Sequence, residues 1–79
     1  MGFATTEREW QERATKFLKA KMKDAGVTYA ELVARLKDHG FEETEASITM
    51  KLKRGTFAAT FFLACLAAIG LNDISLNDL

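Results

Sequence analysis

The chain has 79 residues, of which 48% are hydrophobic and 28% are charged, and its formal net charge is zero. A chain of this length can bury only one core, so we expect a single domain over residues 1–79 with its core at about residues 6–71. The balanced charge and the generous apolar fraction exclude an intrinsically disordered chain and a uniformly basic nucleic-acid-binding protein.

Glycine residues divide the chain into segments, because proline is absent. Apart from Gly2, they stand at positions 26, 40, 55 and 70, each after a segment with helical character. Glycine commonly ends a helix because it adopts the left-handed conformation without steric cost. The spacing predicts an all-α fold, a compact bundle of four to five short helices.

The first predicted helix begins after Thr6. The sequence from Thr6 to Glu9 fits the capping-box pattern, in which a hydroxyl and a carboxylate satisfy free backbone amides. The apolar residues recur at helical spacing and form one stripe, namely Trp10, Ala14, Phe17, Leu18, Met22 and Ala25. Arg13, Lys16, Lys19 and Lys23 fall mostly on the other side, which is typical of a solvated helix face.

The second predicted helix repeats this arrangement. Thr28 and Glu31 form another capping box. The apolar residues that follow at helical spacing predict a buried stripe of Tyr29, Leu32, Val33 and Leu36.

The third segment, ASITMKLK at residues 46–53, alternates between apolar and polar residues as a strand does. Read as a helix, only Ile48 and Leu52 share a clean inner face, and Met50 lies off to one side. A lone strand cannot satisfy its backbone hydrogen bonds, and the chain has no visible second strand. We therefore favour a helix with Thr44 as its N-cap, and a strand paired with a second chain is the alternative.

The fourth segment, TFAATFFLACLAAIGL at residues 56–71, contains no charged side chain. As a helix, residues 57–69 are about 20 Å long, too short for a bilayer core, which needs roughly twenty apolar residues. Thr56 is the expected N-cap and Gly70 the expected terminal glycine. A helix that is apolar on nearly every side predicts burial nearly all round, so we expect this helix at the centre of the domain.

These patterns together predict the hydrophobic core. Its expected members are Trp10, Phe17, Leu18, Leu32, Leu36, Ile48, Leu52, Phe61 or Phe62, Leu66 and Ile69.

The residues suited to catalysis or metal binding are few. One cysteine, Cys65, excludes an internal disulfide, which suits a reducing compartment, and we expect a cytoplasmic protein. The chain has no Cys/His cluster with zinc-ligand spacing. His39 is the only histidine in the sequence, and no spacing of residues around it would bring together a nucleophile, a base and an orienting acid. We expect no enzyme, no cofactor, no bound metal, no membrane association and no small-molecule ligand.

The order of helices and glycines resembles the Cro/repressor-like (XRE-type) helix-turn-helix family of DNA-binding domains. The resemblance extends from about Leu18 to Leu76, and the chain also resembles a small bacterial domain family of unknown function. The matching residues are Gly26, Val27, Thr28, Glu31, Leu32, Ser47, Ile48, Thr49, Gly55, Ile69, Gly70 and Leu71. The resemblance implies a lambda-repressor-like fold and a small transcriptional regulator that binds double-stranded DNA as a homodimer.

The resemblance also implies where DNA would be contacted. The N-terminus of the second helix would approach a phosphate, and the third helix would enter the major groove. The expected contact residues are Thr28, Tyr29, Thr44, Ser47, Thr49, Lys51, Lys53, Arg54 and Thr56. When the base-reading positions are aligned on Ile48, they are Glu45, Ala46 and Met50. When they are aligned on Gly55, they are Ala46, Ser47 and Lys51.

Helical geometry separates the basic residues of the third segment. Residues two apart lie about 200° apart on a helix, so Lys51 and Lys53 cannot share a face. Lys51 and Arg54 can lean toward the same groove wall, with Ser47 one turn earlier, and Lys53 would serve a phosphate at the edge.

Two other functions are compatible with the residues. The zero net charge and the acidic residues Glu42, Glu43 and Glu45 favour a protein-interaction domain that no longer binds DNA, because phosphate affinity needs uncompensated cations. The alternating segment SITMKLKR, paired with its copy in a dimer, would instead form a two-stranded ribbon for the major groove.

Overall fold

Four α-helices form the fold, and the computed structural model describes residues 2–79 of the chain. The helices are α1 (Glu7–Ala25), α2 (Tyr29–Lys37), α3 (Glu45–Arg54) and α4 (Ala59–Ala68), followed by a 3₁₀ turn at Leu76–Asp78. The prediction of a compact all-helical fold is confirmed, and residues 2–79 contain no strand. Residue 1, which the predicted domain includes, lies outside the described range.

Threonine hydroxyls begin the first three helices, as predicted. Thr6, Thr28 and Thr44 accept a hydrogen bond from the backbone amide three residues later, at 3.0–3.1 Å. The predicted box at Thr6 differs in its second hydrogen bond. The Glu9 carboxylate accepts from the Thr6 hydroxyl, at 3.2 Å, and not from the Thr6 amide. Each hydroxyl satisfies an amide that has no partner inside its own helix.

The alternating third segment is a helix, so the two-stranded ribbon is wrong. Ile48 and Leu52 are 0% and 2% exposed, and they lie one turn apart on the face of α3 that packs toward α2. In a strand Met50 would share their face, but here it is 58% exposed. Burial at i and i+4 together with exposure at i+2 is the helical pattern and not the period-two pattern.

The fourth helix differs from its prediction at its start. It begins at Ala59, after Ala58, and has no side-chain cap, so Thr56 is not its N-cap. Residues 55–58 are not helical, and the ring of Phe57 packs on Phe61 and Phe62, with ring centroids 5.7 and 5.9 Å apart. This packing buries a large aromatic ring that a helix starting at Thr56 would have to move.

The fourth helix is also buried on fewer sides than its composition predicts. Leu63 is 60% exposed, and Ala59, Thr60 and Ala67 are exposed beside it. Because α4 packs mainly on α1 and α2, its third side remains open. A ten-residue helix in so small a chain has too few neighbours to be enclosed completely.

One hydrophobic cluster joins the four helices. Most predicted core residues are buried in it, namely Phe17, Leu18, Leu32, Leu36, Ile48, Leu52, Phe61, Leu66 and Ile69. Trp10 is not, because it lies half-buried near the start of α1, where it stacks on Phe3 with ring centroids 6.2 Å apart. Of the two alternatives on α4, Phe61 is buried and Phe62 is only partly so.

The helices of residues 2–79 are either too short or too polar to cross a membrane. The most apolar, α4, has 10 residues, and the longest, α1, has 19 and carries many charges.

Two leucines of α4 test this packing, because they differ in burial and share a helix. Leu66 is 4% exposed and Leu63 is 60% exposed. We expect Leu66→Ala to lower the free energy of unfolding by about 2–5 kcal/mol, the usual cost of an emptied leucine site, and Leu63→Ala to change it by less than about 1 kcal/mol. Urea denaturation followed by circular dichroism measures both, and equal losses would contradict the orientation of α4.

Candidate nucleic-acid interface

The α2–α3 pair carries most of the residues that the resemblance implicates. α2 packs against α3, and residues 38–44 connect them. At the start of α2 the Glu31 carboxylate accepts hydrogen bonds from the Thr28 amide at 3.2 Å and from the Thr28 hydroxyl at 3.0 Å. Tyr29 packs partly buried against the core. The expected phosphate position at Thr28 therefore lies beside a carboxylate.

Glu43, in the connection between α2 and α3, forms an ion pair and a hydrogen bond with residues of α3. Its carboxylate accepts a hydrogen bond from the Lys51 ammonium at 2.6 Å and another from the Ser47 hydroxyl at 2.6 Å. The side chain of Glu43 is only 7% exposed. The Lys51 ammonium also lies 4.6 Å from the centre of the Phe61 ring. These contacts connect the turn, α3 and α4 through one cation.

The pKa of the Glu43 carboxyl reflects both its burial and its contacts with Lys51 and Ser47. Burial alone would raise this pKa, because it removes water from the charged form. The hydrogen bonds from Lys51 and Ser47, together with the Lys51 charge, outweigh burial and hold the pKa below its ordinary value of 4.5. Glu43 is therefore ionised at neutral pH, and it neutralises Lys51.

This ion pair corrects the expected orientation of two residues. Ser47 and Lys51 do lie on one side of α3, as helical spacing predicts, but that side faces Glu43. Ser47 accepts a hydrogen bond from the Thr44 amide at 2.8 Å as well. Thr44, Ser47 and Lys51 thus each form a polar contact within the domain. The sequence held a signal for this link, because Glu43, Ser47 and Lys51 are spaced by four residues.

The outer face of α3 consists of other residues. Ala46, Thr49, Met50 and Lys53 follow one another at helical spacing and are all exposed. The Thr49 hydroxyl donates to the backbone carbonyl of Glu45 at 2.8 Å, so its hydrogen is used within α3. Arg54 is exposed beside Lys53, and neither residue forms a salt bridge within residues 2–79. The outer face is therefore apolar along its length and cationic at its end.

A groove continues from the cationic end of α3 to α1. It has a volume of about 430 Å³ and is lined by Arg8, Gln11, Glu12, Thr15, Lys19, Leu52, Lys53, Arg54 and Gly55. Gly55 has a left-handed φ of 76°, and a Cβ there would lie 3.5 Å from the Gln11 Cβ. Thr56 follows in the exposed link to α4. The basic residues of α1 were expected only as a solvated face, and their approach to α3 depends on the fold.

A model of a protein family, described as "Domain of unknown function (DUF6471)", matches residues 10–74. The match covers most of the chain, so the chain belongs to this family. The expected likeness to a small domain family of unknown function agrees with this result, and the XRE-type relationship stays a prediction. No curated protein and no solved structure matches the chain.

The Glu43 ion pair predicts a pH dependence of stability with a definite sign. Because the pKa of Glu43 is lowered by folding, its contribution is fully present above about pH 4.5 and is lost as the pH falls through the lower folded pKa. We expect Glu43→Gln to be less stable than the wild type at pH 7, and the difference to shrink as the pH falls below 4.5. Urea denaturation across this range measures it.

The exposed neighbour Glu42 supplies the matched control, since Glu42→Gln removes the same charge from the same turn. We expect Glu42→Gln to change the stability little at pH 7. A difference between the wild type and Glu43→Gln that stays constant with pH would contradict the ion pair.

Proposed function

We propose that this domain binds double-stranded DNA as a small transcriptional regulator, with α2 and α3 as a lambda-repressor-like helix-turn-helix. The observation that carries the proposal is the outer face of α3, which is exposed, free of carboxylates after Glu45 and cationic at Lys53 and Arg54. An exposed helix of ten residues is about 15 Å long. The major groove, about 12 Å wide, admits such a helix.

Side chains of the outer face are suited to base edges in a particular way. The exposed methyl groups of Ala46, Thr49 and Met50 suit contact with the methyl group of thymine. Glu45, exposed in the first turn, can accept a hydrogen bond from the amino group of cytosine. This is the register aligned on Ile48. The register aligned on Gly55 requires Ser47 and Lys51, which Glu43 occupies.

Phosphate contacts in this proposal come from the ends of the helices. Lys53 ends the outer face, and Arg54 and the exposed Thr56 follow it in sequence. Such contacts position a protein on the duplex without reading sequence. Two copies would contact two half-sites, which raises both affinity and specificity for a domain this small.

A protein-interaction domain is the second candidate, and a specific observation favours it. The outward face of α4 is apolar around the exposed Leu63, and residues 55–72 carry no charge. An apolar exposed face is typical of contact with another protein. The two candidates differ in one measurable property, because DNA binding by cations weakens steeply with salt.

Two lysines two residues apart test the proposal, since they carry the same charge and face different surroundings. We expect specific duplex binding to weaken with salt, and Lys53→Ala to lower the slope of log K against log salt concentration by about one. Lys51→Ala should leave this slope unchanged, because Glu43 already neutralises Lys51. Circular dichroism verifies that this variant folds, since it leaves the Glu43 carboxylate without its cation. Fluorescence anisotropy with a selected duplex measures both.

Two results would contradict the proposal in different ways. No binding to any duplex at low salt would remove DNA binding and favour the protein-interaction domain. A larger change of slope for Lys51→Ala than for Lys53→Ala would keep DNA binding but reject the outer face as its surface.

The proposed homodimer has a separate test. We expect sedimentation equilibrium to show two copies on a selected duplex, since half-sites recognised by a symmetric dimer are related by a two-fold axis. A single copy on every selected duplex would exclude the dimer without affecting DNA binding.

A further inference from the structure

The groove between α1 and the end of α3 extends beyond the helix-turn-helix onto α1, and its chemistry is that of an anion site. Three cations line it with no salt bridge within residues 2–79, namely Lys19 of α1 and Lys53 and Arg54 of α3. We infer that this groove binds a phosphate of the DNA backbone, an inference that rests on the proposed function. The residues it adds on α1 are Arg8 and Lys19.

The balance of charge in the groove favours an anion. Four basic residues line it and one acidic residue, Glu12, opposes them. Glu12 pairs with Arg8 at 3.5 Å, but the Arg8 side chain is 88% exposed, so water screens this pair and it contributes little. An approaching phosphate competes with Glu12 for Arg8 while three further cations remain available. The chain's zero net charge therefore conceals a locally positive surface.

A polar atom at the base of the groove has no partner. The Thr15 hydroxyl oxygen is shielded from solvent and has no hydrogen-bond partner within residues 2–79. It lies 3.7 Å from the position that a Cβ on Gly55 would occupy, so it is next to the end of α3. Burying an unpaired hydroxyl costs free energy. The oxygen is closed to solvent, so a phosphate in the groove would contact the neighbouring cations and not this hydroxyl.

The position of the groove suits a duplex that already contacts α3. Lys53 and Arg54 belong both to the groove and to the end of the outer face. A helix in the major groove lies between two phosphate backbones, and its end points toward one of them. The backbone at the end of α3 would therefore reach the groove, where cations of two helices converge. The attraction for a phosphate comes from the charged side chains and not from the backbone, because the C-terminus of a helix carries a partial negative charge.

Charge removal on α1 tests the inference, with a control on the same helix. Arg8→Ala combined with Lys19→Ala removes one arginine and one lysine from the groove. The control, Arg13→Ala combined with Lys21→Ala, removes the same charges from the other side of α1. Arg13 lies five residues after Arg8, a rotation of about 140°, and Lys21 lies two residues after Lys19, a rotation of about 200°. Fluorescence anisotropy against salt is measured for a selected and an unrelated duplex, and circular dichroism verifies folding.

We expect the groove variant to bind both duplexes more weakly by the same factor, with its salt slope lower by about one to two. The control variant should keep the wild-type slope. Thr15→Val should leave DNA binding unchanged and the melting temperature unchanged or higher, because it keeps the shape and removes an unpaired hydroxyl that a phosphate does not reach.

Three outcomes overturn the inference. A groove variant with the wild-type slope, or with the same change as the control, rejects the groove and leaves the proposed function standing. Weakening confined to the selected duplex would assign these residues to sequence reading instead of phosphate binding. A wild-type protein that binds no duplex removes the proposed function, and this inference with it.

Discussion

The ion pair between Glu43 and Lys51 determines which face of α3 meets the solvent. A nearly buried carboxylate needs compensating donors, and Glu43 takes both of them, Ser47 and Lys51, from one side of α3. The buried residues Ile48 and Leu52 hold the adjacent side against the rest of the domain. What remains for a partner is the strip that neither interaction uses. Any function assigned to α3 must therefore work through that strip.

The uneven distribution of charge explains how a chain with no net charge still has a cationic surface. Carboxylates and cations are not neutralised uniformly across the molecule. One lysine is neutralised internally, while the cations at the end of α3 and on one flank of α1 face a common groove. Net charge sums over the whole chain, whereas a phosphate responds to charges within about a Debye length. Charge distribution is thus the more informative quantity for this domain.

Local patterns in the sequence were sufficient for the starts of the first three helices and for most of the core. The hydroxyls of three threonines accept a hydrogen bond from the backbone amide three residues later, namely Thr6, Thr28 and Thr44. A contact over so few residues can be predicted from the sequence. Thr56 failed as a cap because the packing of Phe57 on α4 determines that boundary. Trp10 failed as a core residue because its neighbour is Phe3.

The candidate site was harder to predict than the fold, for a related reason. Helical spacing predicts which residues of α3 share a side. Which side faces the domain depends also on Glu43, a carboxylate outside the helix. The groove requires the approach of Arg8 and Lys19 to residues more than thirty positions away along the chain. No periodicity within one helix reports that approach. The sequence thus predicted α3 as a helix but not that Ser47 and Lys51 face Glu43.

The surroundings of Cys65 have a chemical consequence. Burial, and then the charge of Glu43, raise the pKa of its thiol to about 12, so the nucleophilic thiolate is almost absent at neutral pH. The side chain is 0% exposed within the core. A thiol-specific reagent can therefore modify this cysteine only when the helices separate. The rate of alkylation would record how often the domain opens, and the native protein carries that reporter without any added label.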